Sequence, residues 1–438
     1  QLIFCYFLQK KGWLLDGQNI KFGNGENNFL RKKFLENKNK NKNFYNKFLE
    51  YFFYEGLNQK NENNYLEIIN CKIPYIGGGL FEYYDGYDWK KENLNIPNHL
   101  FSNKKNNGIF DIFDLYNFTV DENETMDIEI AVDPEMLGRV FENLLPENIK
   151  KSDGTFYTPR SVVNYICDES IYNYLLIKLK KDVDENELNE FIKNVNFNVL
   201  KNLSIKKNAS KINTLLSKIK ICDPAIGSGA FVVLIMNKIV SLRILLSDYV
   251  ENKYKKNRYY FKREFIQNSI HGVDIEPSAV EITKLRLWLS LIVEDGEYEK
   301  IEPLPNLDFK IIQGNSLIEQ FKGINFGSKF FNIENQNLEN FFIQSEIEQN
   351  IKDLAKLQNI FFTCISYKKK IVYKIEIKKL MKIILIKIIK NQSNQKSEFI
   401  INDSDIDNII SSKSKKNFFP WAIFFADIFF NNKGFDLI

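Results

Sequence analysis

Histidine is nearly absent from this 438-residue sequence, with His99 and His271 its only two copies. A histidine-built metal centre or a Ser-His-Asp triad is therefore improbable on count. The five cysteines, Cys5, Cys71, Cys167, Cys222 and Cys364, are scattered and never spaced C-x-x-C. That argues against a disulfide framework or a zinc site and fits a reducing compartment, with a bacterial cytoplasm as the expectation. No stretch reads as a membrane span; "LMKIILIKII" is broken by lysines and too short. The opening "QLIFCYFLQKKGWLL" has its basic residues after the apolar run and no small-residue cleavage site, so it reads as a helix. Charge of one sign is also lacking: 60 basic and 56 acidic residues leave a net +4, too mild to announce nucleic acid by itself. An initiator methionine is missing, and the last residues, "KGFDLI", form an apolar run with nothing after it. Both ends are expected to be interior to a longer protein.

What is present is a large apolar fraction, 44% of residues, enough for two or three domains. Residues 1–150 show helical patterns with aromatic anchors: "FYNKFLEYFFYEGLN" puts Phe44, Leu49, Phe52 and Phe53 near one helical face. "IPYIGGGLFE" reads as a glycine-rich turn, and "VDPEMLGRVFENLL" as a helix opening at Pro134. From 151 to 330 strands alternate with helices. "KIKICD" (218–223), "SIHGVDI" (269–275) and "FKIIQG" (309–314) are expected strands, separated by helices over 229–246 and 279–293. That alternation predicts an α/β fold with a parallel, doubly wound sheet. Residues 331–416 read as a lysine-rich helical insertion, and 417–438 returns to core-like composition with a further strand.

The chemistry concentrates in "DPAIGSGAF", Asp223 to Phe231. A strand delivers Asp223 to its carboxyl end, Gly227 and Gly229 permit a tight turn, and a helix follows. Ligands of open α/β sheets bind at such ends. A dinucleotide fingerprint needs a third small residue where Val232 stands, and a P-loop needs a lysine that does not follow Gly229. Asp274 closes the next strand, where an acidic side chain can accept hydrogen bonds from both hydroxyls of a ribose. A ribose-bearing cofactor without a diphosphate remains, and S-adenosyl-L-methionine fits. Taken singly, Asp223 and Asp274 also read as loop carboxylates capping helices.

These motifs resemble those of N6-adenine-specific DNA methyltransferases. "DPAIGSGAF", "GVDIEPSAVEITKLRLWLSL" and "IIQGNSL" look like that family's first three motifs. "GTFYTPRSVVNYICD" looks like the motif that precedes the first strand in circularly arranged members. The upstream "VDPEMLGRVFENLL" and "KIPYIGGGLFE" resemble the helical connector of type IIG bifunctional restriction–modification enzymes. The resemblance implies a Rossmann-like class I methyltransferase core. It places Tyr157, Thr158 and Pro159 at the methionine end of the cofactor, with Asp223, Ala225, Gly227 and Gly229 forming the floor beneath it. Asp274 would take the ribose, with Ile275 and Asn315 at the adenine. Asn315 also reads as a turn former beside Gly314, and Thr158-Pro159 as a helix start. The partner implied is double-stranded DNA, whose target adenine is flipped out.

The family's catalytic Asn-Pro-Pro-Tyr follows a strand like "GFDLI", and no Asn-Pro-Pro occurs in this sequence. The chain alone is therefore expected to be inactive, the alternative being a degenerate scaffold that only binds. A nuclease constellation is not expected either. Glu376 and Lys378 have a Glu-x-Lys spacing, but they lie in a helical pattern. The lysines of 367–390 read first as a solvated helix face and second as a phosphate-contacting surface.

Overall fold

The computed structural model describes residues 1–82, 87–92, 94–118, 131–132, 158–194, 203–250, 257–294, 301–327, 338–393, 403–410, 416–432 and 434–438. The chain divides into two compact units, Gln1–Leu137 with Leu285–Asn306 and Gly138–Lys284 with Leu307–Ile438. The boundary expected near 150 and most of the helix expected over 132–145 lie outside the described residues. Residues 285–306 group with the first unit, whereas the sequence pattern had assigned them to the sheet region.

The first unit is built on phenylalanine. Helix α1 (Leu2–Lys10) buries Phe4, Phe7 and Leu8, and α2 (Phe29–Asn39) buries Phe29, Leu30 and Phe34. The helix expected over 44–58 winds wider than an α-helix, as π-helical turns at Tyr45–Leu49 and Phe52–Leu57. Phe44 stacks on Phe48 (5.3 Å) and Phe48 on Phe52 (5.5 Å), forming one aromatic column.

Asp111 pins a loop of this unit. Its carboxylate accepts from Ser102 Oγ (2.7 Å) and from the N–H groups of Asn103 and Gly108 (both 3.1 Å), and pairs with Arg31. Burial opposes ionisation there, but these donors outweigh it and hold the carboxyl at about 2. A depressed carboxyl contributes stability above its unfolded value near 4, and loses it as pH falls toward 2. Asp111→Ala is expected to cost about 2 kcal/mol, the scale of hydrogen bonds to a charged group. It should also flatten the acid limb of a thermal-midpoint profile.

The second unit holds the predicted alternation. Helix α3 (Arg160–Leu179) is followed by β1 (Ile221–Asp223), α4 (Ala230–Leu246), α5 (Arg258–Asn268), β2 (Ile270–Asp274), α6 (Pro277–Glu294) and β3 (Ile311–Gln313). All three strands are parallel: Ile221 pairs with Ile270, and Gly272 with Ile311. Parallel neighbours need long crossovers, which the helices supply. The strand expected at the chain's end pairs on the free side of β1. Leu437 bridges to Ile221 in parallel, Cys222 N–H donates to Leu437 C=O (3.0 Å), and Asp436 N–H donates to Lys220 C=O (2.8 Å). The spatial order is therefore β3-β2-β1-Leu437, and direction of travel reverses at β1.

The lysine-rich segment forms the expected hairpin, α7 (Leu338–Thr363) against α8 (Tyr367–Ser393). Helix α8 buries Ile377, Met381, Ile384, Leu385 and Ile388 and exposes Lys368, Lys369 and Lys379, as an amphipathic helix does. The hairpin is not a separate body. Its apolar side joins Cys222 and Val273 of the sheet, and Ile428 of α9 (Ala426–Asn432), in one core cluster. Ala230–Tyr249 is long and apolar enough to cross a membrane. Here half of it is buried in the fold, and α4 packs against α3 and α5.

Candidate functional site

The loops that leave β1, β2 and β3 meet at one residue, Asp274, the first two at its carboxylate and the third at its main-chain carbonyl. Gly227 N–H, from the first loop, donates to Asp274 Oδ2 (2.7 Å), and Glu276 N–H donates to Oδ1 (2.8 Å). Gly314 N–H, from the third loop, donates to the Asp274 carbonyl (2.8 Å). The side chain is 8% exposed.

The first loop is shaped by glycine. Gly227 and Gly229 sit at φ +54° and +83°, the left-handed region, and Gly229 caps α4. Thr283, on α6, donates its hydroxyl to Gly227 C=O (2.8 Å) and fixes the turn from below. Ala225 is exposed, and its N–H donates to Asp223 Oδ1 (3.0 Å). Burial, joined by the nearby Asp274 carboxylate, pushes the Asp223 carboxyl up to about 6.

Asp223 also borders a cleft of about 190 Å³ between α3, α4 and the β1–Leu437 pair. Ile166, Cys167 and Ser170 enter it from α3. Burial pushes the Cys167 thiol up to about 12, so it is a packing group there and not a nucleophile. Thr158 is half-buried and Pro159 exposed at the start of α3, and Pro159 is the N-cap of that helix. Tyr157 lies outside the described residues. On the opposite flank Ile275 is half-buried, and its carbonyl accepts from Gln313 Nε2 (2.9 Å). Asn315 Oδ1 accepts from Leu317 N–H (3.1 Å), the turn-forming bond anticipated for it, and its amide nitrogen lies in the same third loop.

The structure thus brings Asp223, Ala225, Gly227, Gly229, Asp274, Ile275 and Asn315 to the carboxyl ends of three adjacent strands. Sequence reasoning missed the residues that hold them. Thr283 is one turn position among many on α6. Gln313 also ties the third loop to Lys416, whose N–H donates to Gln313 Oε1 (2.8 Å) across 103 residues. No local pattern marks either. Among the described residues there is no cluster of three or more His, Cys, Asp or Glu side chains able to hold a metal.

Residues 268–438 match the Eco57I restriction-modification methylase family. The match opens just before β2 and takes in Asp274, Asn315 and Leu437. The chain is also 30% identical, over 343 residues and 73% of its length, to a protein of Methanocaldococcus jannaschii. That protein is named "Putative type II restriction enzyme and methyltransferase RM.MjaORFECS2P". The chain spans about a quarter, 27%, of that relative's length. No solved structure matches the chain. Both similarities support a restriction–modification methyltransferase.

Proposed function

We propose that this chain carries the cofactor-binding part of a DNA adenine-N6 methyltransferase of the type IIG branch, with a Rossmann-like core and S-adenosyl-L-methionine as methyl donor. The observation that carries the reading is the junction of three strand-end loops on Asp274. It sets a buried carboxylate beside a glycine turn, where Gly227 and Gly229 hold left-handed backbone. The bound cofactor supplies an electrophilic methyl group on sulfur.

The protein's part is positioning. Asp274 accepts from the two ribose hydroxyls while its backbone bonds hold it still. Ile275 offers an apolar surface to the adenine, and the Asn315 amide a polar contact at its edge. Gly227 and Gly229 let the backbone approach, and Tyr157, Thr158 and Pro159 flank the methionine end. Asp223 faces the amino-acid portion and takes its ammonium as counter-ion. Double-stranded DNA is the partner of the complete protein. Transfer to the base also requires hydrogen-bond acceptors for the adenine amino group, which the resemblance assigns to an Asn-Pro-Pro-Tyr. Residues 1–438 are expected to bind the cofactor.

Calorimetric titration of the chain with S-adenosyl-L-methionine tests the proposal. Saturable one-to-one binding that Asp274→Ala abolishes is the expected result. A folded chain that takes up no cofactor sinks it.

The pH dependence gives a further expected result. A carboxyl raised to about 6 disfavours the charged form, so the free protein loses stability as pH rises from about 4 to 6. The cofactor's ammonium needs that charged form. Affinity is expected to rise between pH 5 and pH 7, and Asp223→Asn to lose most of that rise. An unchanged slope in the variant assigns the pH dependence to another group.

A further inference from the structure

A second polar cluster lies beneath the sheet and has no part in the cofactor site. His271, in β2, is 0% exposed, Lys310, just before β3, is 1% exposed and Asp427, in α9, is 4% exposed. His271 Nε2 lies 3.5 Å from Asp427 Oδ2 and 3.4 Å from Lys310 Nζ. Lys310 Nζ sits 4.1 Å from the centroid of the Phe362 ring of α7, which also contributes the neutral Gln358. Asp427 N–H donates to Gln358 Oε1 (3.2 Å), and Gln358 Nε2 donates to Phe424 C=O (2.9 Å).

From the β1 side comes Lys220, whose ammonium bonds Asn268 C=O and whose backbone carries the final strand. That strand adds Asp436, which accepts from Lys220 N–H (3.0 Å) and pairs with Lys178 of α3. It also adds Phe435, whose ring lies 5.4 Å from the His271 ring and 5.7 Å from Phe425. His271 Nδ1 and Ser269 Oγ, two residues apart on the same side of β2, are buried without a hydrogen-bond partner. A fully buried imidazole thus faces two lysines and one nearby carboxylate, at the place where α9 and residues 434–438 dock on the sheet.

We propose that His271, Lys310 and Asp427 form a proton-operated latch: neutral His271 keeps α9 and the 434–438 strand docked against the sheet, and proton uptake by His271 releases them. A protonated ring there would stand 3.4 Å from the Lys310 ammonium, with Asp427 already opposing that lysine. Undocking restores water to all three groups. The directions agree with the geometry. Burial first, and then Lys310, push His271 down to about 4, while Asp427 works against them. Burial also pushes Lys310 down to about 7. A histidine depressed in the docked state takes up its proton on release, so docking weakens as pH falls from about 6.5 toward 4. The latch acts on Leu437, and through it on the cleft beside Asp223.

Amide hydrogen exchange of the full chain, corrected for intrinsic rate, tests this. Between pH 7.5 and 5.0 the titration of His271 alone predicts roughly 30-fold more frequent opening of peptides within 421–438. Peptides of α4 should not follow. Lys310→Met removes a cation that holds the imidazole neutral, so the docked imidazole titrates higher and the step becomes smaller. Asp427→Asn removes the carboxylate that favours the imidazolium, so the docked value falls and the step levels off at lower pH. His271→Gln leaves only the roughly fourfold rise that Lys310 contributes over the same range. A step whose size and end point neither charge variant changes, a step that keeps its full size in His271→Gln, or loosening shared equally by α4 would each overturn the latch.

Discussion

Asp274→Ala is expected to abolish measurable binding of S-adenosyl-L-methionine and to destabilise the second unit by about 2–6 kcal/mol. The stability term follows from two backbone donors, Gly227 N–H and Glu276 N–H, that lose their acceptor. Each buried unsatisfied donor costs about 1–3 kcal/mol. The binding term is separate, because the same carboxylate is proposed to take the ribose hydroxyls. Asp274→Asn separates them. Its single carbonyl oxygen keeps one of the two backbone bonds, while its amide nitrogen confronts the other N–H, donor against donor. Roughly half the stability loss should remain, with binding still lost. Urea unfolding and calorimetry on both variants read the two terms. Full cofactor affinity in Asp274→Asn would reduce Asp274 to a structural tie between loops.

The other large expected effect is Gly229→Ala, about 2–5 kcal/mol of stability. Two causes add. An L-residue at φ +83° costs about 1–2 kcal/mol. A methyl group built there lies 2.9 Å from Thr283 Oγ1 and 3.0 Å from its Cγ2, and such overpacking costs about 1–3 kcal/mol. Thr283 cannot turn away, since it is β-branched, fully buried and bonded to Gly227 C=O. Combining Gly229→Ala with Thr283→Ser removes the Cγ2 contact and keeps the hydroxyl. The double variant should recover part of the overpacking term and none of the backbone term. A single variant within 0.5 kcal/mol of the parent in urea unfolding would mean that the turn rebuilds without strain.

The strands were legible because parallel strands buried on both faces read as short continuous apolar runs ending at glycine or aspartate. "KIKICD" places β1 correctly but begins early. Lys218 closes the helix Ala209–Lys218, and Lys220 spends its backbone on Asp436 and Leu437. The strand-end placement of Asp223, Gly227, Gly229 and Asp274 was legible because glycine and an acidic residue often close such strands. What supports them was not. Gln313 meets Lys416, and Trp421 Nε1 donates to Ser316 C=O (3.0 Å), each across more than 100 residues. His271 and Asp427 were invisible for the same reason, since each looked like an ordinary residue in an apolar run. In the first unit, the spacing of Phe44, Leu49, Phe52 and Phe53 gave burial correctly. It could not give the wider winding, along which Phe44, Phe48 and Phe52 stack in a column.

The helical insertion looks dispensable on a strand diagram, because it enters after β3 and rejoins before Leu437. Its apolar side nevertheless belongs to the core that Cys222, Val273 and Ile312 share. Trimming 338–410 to obtain a smaller, crystallisable fragment would thus lay bare one face of a three-stranded sheet. The product to expect on a gel-filtration column is an aggregate eluting at the void volume. The shortest soluble form of this unit keeps its hairpin.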